Sequence, residues 1–377
     1  MESFGLWGTF MALMMIGKAI ANGGFHVCLM LPENQEKAKT LLSLCYKFNY
    51  LTIFVSIVAI LGLTYFAPTI IPEEQYLLFV IGLPLSIFIE GKSQSAHSWL
   101  NRDQNYTAMS KGVIGQTIIT VSFQLLFGFI GLEWNGLIVA TLIGQLGIMI
   151  LYLRYAKLSF FISDTKERTI EAFKEYKSFL TLGVSGNLIN NAASNLPYVF
   201  FLGSFGEALN GHFAMVQQRV LAAPINLVSS AVSPVFFKEA NKAHLSPDNE
   251  LPQLVYRFNA IMWLIIAPAV ILVVLWGPQI FTFILGEQWL IAGEYARWLA
   301  PLMAVRFVNN PMSYLIDIKK KLSVQLYYNI FLLICTVVIF YTPILGLDDF
   351  TTIKVFGVSF FIIQSCFLAY LYSLRND

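Results

Sequence analysis

Hydrophobic residues come in runs of about twenty or more along nearly the whole chain, parted by short polar gaps. A run of roughly 20 apolar residues is long enough to cross about 30 Å of hydrocarbon as an α-helix. Eleven candidate spans stand out: 5–30, 43–66, 76–99, 109–131 and 135–155, then 179–203, 209–236, 253–277, 295–316, 322–343 and 352–374. The longest polar stretch, Arg154–Lys177, separates the first five from the last six. Its 24 residues, six of them basic and four acidic, are too few for a domain and read as a solvated helical linker. The ten-residue alternating segments of a membrane β-barrel are absent from the pattern. The expected fold class is therefore all-α, a polytopic integral membrane protein. One lobe is expected at 1–155, a cytoplasmic linker at 156–178 and a second lobe at 179–377.

Composition agrees with that pattern. The chain is 57% hydrophobic and 12% charged, against about 25% charged residues in a soluble domain. A net charge of +2 is too small to suggest a nucleic-acid partner. Lysines and arginines set the expected orientation. With the linker in the cytoplasm, 18 of the 24 bases fall on inner loops and the C-terminal tail, and only Arg297 and Lys354 fall outside. So strong a bias follows the positive-inside rule and predicts a multi-pass protein of the cell membrane, linker and C-terminus inside.

That parity places Met1 outside with no basic leader, and an internal repeat accounts for it. Tyr46-Lys47-Phe48-Asn49 opens the second span and Tyr256-Arg257-Phe258-Asn259 the eighth, and the same offset of 210 carries Pro68 onto Pro278. Gly8 and Phe10 face Gly211 and Phe213 at a similar offset, and Gly131-Leu132-Glu133 faces Gly346-Leu347-Asp348. Corresponding spans run the same way, so the repeat is parallel. Span 179–203 has no counterpart, and the expectation is six plus six spans with the first one missing from a truncated N-lobe.

These features together resemble the polysaccharide-biosynthesis flippases, of the superfamily that includes the multidrug and toxin extruders and the lipid II flippases. The likeness is carried by Glu2–Trp7 (ESFGLW), similar to the start of the family's second helix, and Leu31–Ala38 (LPENQEKA), similar to its next inner loop. Asn101–Tyr106 (NRDQNY), Gly211-His212-Phe213 with Gln218, Arg219 and Pro224, and Leu285–Trp289 (LGEQW) carry it further. The resemblance implies that a polyprenyl-diphosphate-linked oligosaccharide is moved from the inner to the outer leaflet by two lobes rocking about a central cavity. Lipids, a polysaccharide polymerase and glycosyltransferases would be its partners.

Ionisable groups at mid-membrane depth cost roughly 2.5–3.5 kcal/mol each, so each needs a partner or a wet cavity. Lys18, Arg219 and Arg306 lie near the centres of their spans and are candidate cations for a diphosphate; snorkelling or pairing with carbonyls is the plainer reading. Glu90 is a candidate for ion coupling, although a pair with another helix would also explain it. Asn187, Asn190, Asn191, Ser194 and Asn195 recur at steps of three and four, which places them on one helical face suited to sugar hydroxyls. The four histidines show no metal-ligand spacing, and no phosphate-binding loop occurs, so neither a metal, a cofactor nor an enzymatic activity is expected. Two alternatives stay open. One is a cation-coupled exporter of small amphipathic compounds from the same superfamily; the other is a membrane transferase acting on lipid-linked sugars.

Overall fold

The computed structural model describes residues 2–32, 34–66, 76–162, 164–178, 180, 184–245, 250–319, 321–341 and 346–375. Pro68 and Lys320, which entered the repeat and charge arguments, lie outside them. The described residues form helices and no strand. In order these are α1 (Glu2–Ile20), α2 (Phe25–Cys28), α3 (Gln35–Phe66), α4 (Tyr76–Arg102), α5 (Tyr106–Ile130), α6 (Glu133–Tyr155), α7 (Lys166–Ser178) and α8 (Val184–Phe205). Then come α9 (Glu207–Ala214), a π-helical turn (Met215–Leu221), α10 (Ala222–Leu245), α11 (Leu251–Leu285), α12 (Leu290–Met312), α13 (Tyr314–Ile318), α14 (Leu322–Phe340) and α15 (Asp349–Ser373). Eight of the described helices are long and apolar enough to cross a membrane. The other expected spans coincide with α8, with the run α9–α10, and with α12.

Local chemistry moves several boundaries. The first span ends at Ile20 instead of 30, because Gly23 and Gly24 adopt φ of 57° and 73°, which a residue with a Cβ rarely takes. Lys18 therefore sits in the last turn of α1, where a cation suits the helix dipole, and not at a span's centre. The eighth span continues past Pro278 to Leu285, bent at Trp276, whose φ of −124° and ψ of 18° are not helical. The π-helical turn precedes Pro224, which lacks the N–H that a regular helix would aim at the Val220 carbonyl. Asn105, part of a formal glycosylation sequon, caps α5 by accepting from the Ala108 N–H at 3.2 Å.

The chain divides into two compact units, one of Thr9–Gly203 with Glu2, the other of Ser3–Gly8 and Ser204–Asp377 with Met1. The division falls inside α1 and α8, whereas the lobes expected from sequence meet at the linker. In the Thr9–Gly203 unit α4 packs against α3 and α6, and α5 lies on the periphery with none of its apolar window buried. In the other unit α12 packs against α11 and α15, and α11 buries Leu251, Val255 and Met262 toward one end and Gly277, Pro278 and Phe281 toward the other. Glycine lets the central helix approach closely: a Cβ on Gly293 would lie 2.4 Å from Pro278 Cα, and one on Gly357 would lie 2.4 Å from the Trp298 carbonyl oxygen.

The linker is helical as expected, but it docks. One face of α7 buries Thr169 and Ala172, Lys47 donates to the Thr169 hydroxyl at 2.8 Å, and Phe173 stacks on Phe48 with ring centroids 6.1 Å apart. Thr40 donates to the Asp164 carboxylate. The Asp164 carboxyl is held below its ordinary range by that hydroxyl, helped by the Thr165 N–H and the nearby Arg168 and Lys47 charges.

Candidate functional site

The Thr9–Gly203 unit assembles a polar track from three helices. On α4, Ser86, Glu90, Gln94 and His97 follow one another at four, four and three residues, which places them on one face. Across from them α1 presents Met14 and Lys18, with Asn22 just beyond its end. The Lys18 ammonium donates to the Glu90 carboxylate, closing an ion pair whose side chains are 31% and 13% exposed. Asn22 donates to the Gly91 carbonyl at 2.9 Å and to the Gln94 side-chain oxygen at 3.2 Å. From α6, Gln145 accepts from Ser86 at 2.7 Å and donates to the Met14 sulfur at 3.4 Å. His97 lies against the Tyr152 ring at 5.6 Å between centroids, and the Tyr152 hydroxyl donates to the Met109 carbonyl at 3.0 Å.

Sequence reasoning placed Lys18 and Glu90 in separate roles, a phosphate cation and an ion-coupling carboxylate. The structure brings them together. Ser86, Gln94, Gln145 and Asn22 were missed, although the spacing on α4 carries a readable signal. Their amides and hydroxyls, with the charged pair, form one polar track; a free carboxylate or ammonium there would be far costlier.

In the other unit Arg219 lies on the π-helical turn, its guanidinium carbon 4.2 Å above the Trp7 ring. The first turns of α1 are packed tightly there. Asn210 donates to the Gly5 carbonyl at 2.8 Å, and a Cβ on Gly8 would lie 2.6 Å from the Ala214 Cβ. Half-buried Arg306 is on α12, three residues before Asn309, whose buried amide donates to the Gln364 side-chain oxygen at 2.7 Å. Asn310 donates to the Ser229 hydroxyl at 3.5 Å.

The asparagine face lies on α8. Asn187 and Asn190 are exposed; Asn191, Ser194 and Asn195 are half-buried. Asn191 donates to the Asn187 carbonyl at 2.8 Å and Asn195 to the Asn191 carbonyl at 2.9 Å, so these amides use part of their capacity on their own helix. Their carbonyl oxygens and the Ser194 hydroxyl line the same face.

Helical bundles with polar groups carried inside long apolar helices define a multi-pass membrane protein with the fold of the transporters of the MOP superfamily. That assignment rests on a solved structure described as the inward-facing conformation of a multidrug resistance MATE family transporter of that superfamily, which superimposes with a TM-score of 0.65. It does so over 98% of this chain and 94% of the other at 13% identity. The sequence itself is more specific: residues 1–293 match the family described as polysaccharide biosynthesis protein, and the chain belongs to that family. No curated protein matches the sequence.

Proposed function

We propose that this protein is a flippase that carries a polyprenyl-diphosphate-linked oligosaccharide across the cell membrane by alternating access, for the assembly of a cell-surface polysaccharide. The observation that carries the reading is the family match over residues 1–293 in a chain with a transporter fold. Arg219 and Arg306 are assigned to the diphosphate, since a planar guanidinium can make paired hydrogen bonds to phosphate oxygens. The α8 face is assigned to sugar hydroxyls. Lys18 and Glu90 are assigned to coupling: protonation of Glu90 removes its charge, releases the Lys18 ammonium and makes it available to the anionic cargo. The linker and C-terminus are placed in the cytoplasm, and the polymerase and glycosyltransferases of the same assembly line are the expected partners.

Deleting the gene and extracting lipids tests the class. Polyprenyl-linked oligosaccharide should accumulate in the inner leaflet, and its absence would sink the proposal. Arg219→Ala and Arg306→Ala should each cut export at least tenfold with normal membrane insertion; full export by both would remove their assigned roles. The carboxylate at Glu90 also favours a second reading, a cation-coupled exporter of small amphipathic compounds. Under that reading deletion leaves the glycolipid unchanged and raises sensitivity to cationic drugs.

A further inference from the structure

At the end of α6 the chain forms an open groove of about 510 Å³. Met149, Ile150, Leu153, Leu158 and Phe160 supply its apolar lining, and its charged members are Arg154 and Lys157, with no carboxylate in the lining. We propose that this groove binds an anionic glycerophospholipid of the surrounding bilayer, with its phosphate on Arg154 and Lys157 and an acyl chain along Met149, Ile150 and Leu153.

Three independent features argue for a built site. The first is depth. Met149 and Arg154 are five positions apart on α6, a rise of about 7–8 Å, which is enough to part the cations from the apolar residues deepest in the span. Paired bases over a greasy slot are the complement of an anionic lipid.

The second is backbone. Lys157 takes a φ of 53°, a conformation that among described non-glycine residues is shared only with Gln104. Here α6 closes with the Leu158 N–H on the Leu153 carbonyl at 2.9 Å and the Lys157 N–H on the Arg154 carbonyl at 3.2 Å. Glycine is the usual residue at such a helix end, because it adopts that φ without strain. A lysine there accepts the strain and places a second charge one turn from Arg154.

The third is rigidity. Phe160 would otherwise be a loose interfacial aromatic, but its carbonyl accepts from the Lys92 ammonium at 2.9 Å. Lys92 is completely buried, 3.1 Å from the centre of the Tyr46 ring and 5.2 Å from that of Phe160. This cation–aromatic cage fixes the wall of the groove in advance of any ligand.

A polyprenyl phosphate shares the phosphate and the apolar tail, so direct competition between the two lipids is needed to distinguish the sources.

The test uses purified full-length protein in detergent with phosphatidylglycerol and phosphatidylcholine of matched chains, read by native mass spectrometry. Wild type should retain phosphatidylglycerol at least tenfold better. Arg154→Gln and Lys157→Gln should each reduce that preference about fivefold, the effect of removing one surface charge from an anionic lipid. Lys157→Gly keeps the backbone at its natural residue and should lose the same fivefold while folding at least as well, which a purely structural lysine would not do. Equal retention of the two lipids by wild type would overturn the proposal. So would unchanged preference in the variants, or displacement of phosphatidylglycerol by an equimolar amount of undecaprenyl phosphate.

Discussion

Lys18 and Glu90 each carry a charge that would be costly beside apolar helices, and each relieves the other. Removing one partner strands the other, whereas removing both restores neutrality. Lys18→Met and Glu90→Gln should each destabilise the protein by about 2 kcal/mol, discounted from the 3–5 kcal/mol of a fully buried pair because Lys18 is 31% exposed. Thermal unfolding of purified protein should show midpoints lowered by a few degrees in the single variants and largely recovered in the double variant. An additive double variant would mean that the two charges do not support each other. In transport assays the double variant should stay inactive, since it is stable yet has nothing left to protonate.

At the scale of elements, stability comes from close approach and from docking. Gly293 on α12 faces the backbone of Gly277 and Pro278 on α11, with nothing flexible to give way. Gly293→Ala should cost about 1–3 kcal/mol and show as a lowered unfolding midpoint; an unaltered midpoint would mean that α11 and α12 can part freely. The linker offers a pH-dependent case. Asp164 has a depressed folded-state proton affinity, chiefly through Thr40. Its contribution is therefore complete above the unfolded carboxylate value near 3.9 and is lost as pH falls through the lower folded value. Pepsin cleavage at Phe173 on α7 should be faster in Asp164→Asn than in wild type near pH 4, with the ratio approaching one at lower pH. A ratio that does not change with pH would remove Asp164 from the docking of α7.

For the whole molecule, the asymmetry of the bases predicts orientation. A cysteine at Lys174 or Arg375 in a cysteine-free background should resist a membrane-impermeant maleimide in intact cells and react once the membrane is opened. Labelling of either from outside would reverse the assignment. Eight of the eleven expected spans fall on described helices long and apolar enough to cross a membrane, because span existence depends on local composition and length. The other three coincide with the more polar helical runs α8, α9–α10 and α12. The division into units does not follow the linker, because contacts decide it: the start of α1 packs with α9, and most of α8 groups with the N-terminal helices.

Hydropathy and charge along the chain are local sums, so they alone settled the all-helical membrane class, the run of spans and the small repertoire of chain-internal cations. The family is legible too, from short motifs such as Glu2–Trp7, and its match over residues 1–293 agrees. Tertiary structure alone decided which charges meet. Lys18 and Glu90 are 72 residues apart, and Lys92 and Phe160 are 68 apart. No periodicity within a helix reports a partner on another helix, because side-chain pairing depends on the rotation and depth at which two helices pack. The asparagines of α8 mark the opposite case. Their shared face follows from 3.6 residues per turn and needed no neighbour to be seen.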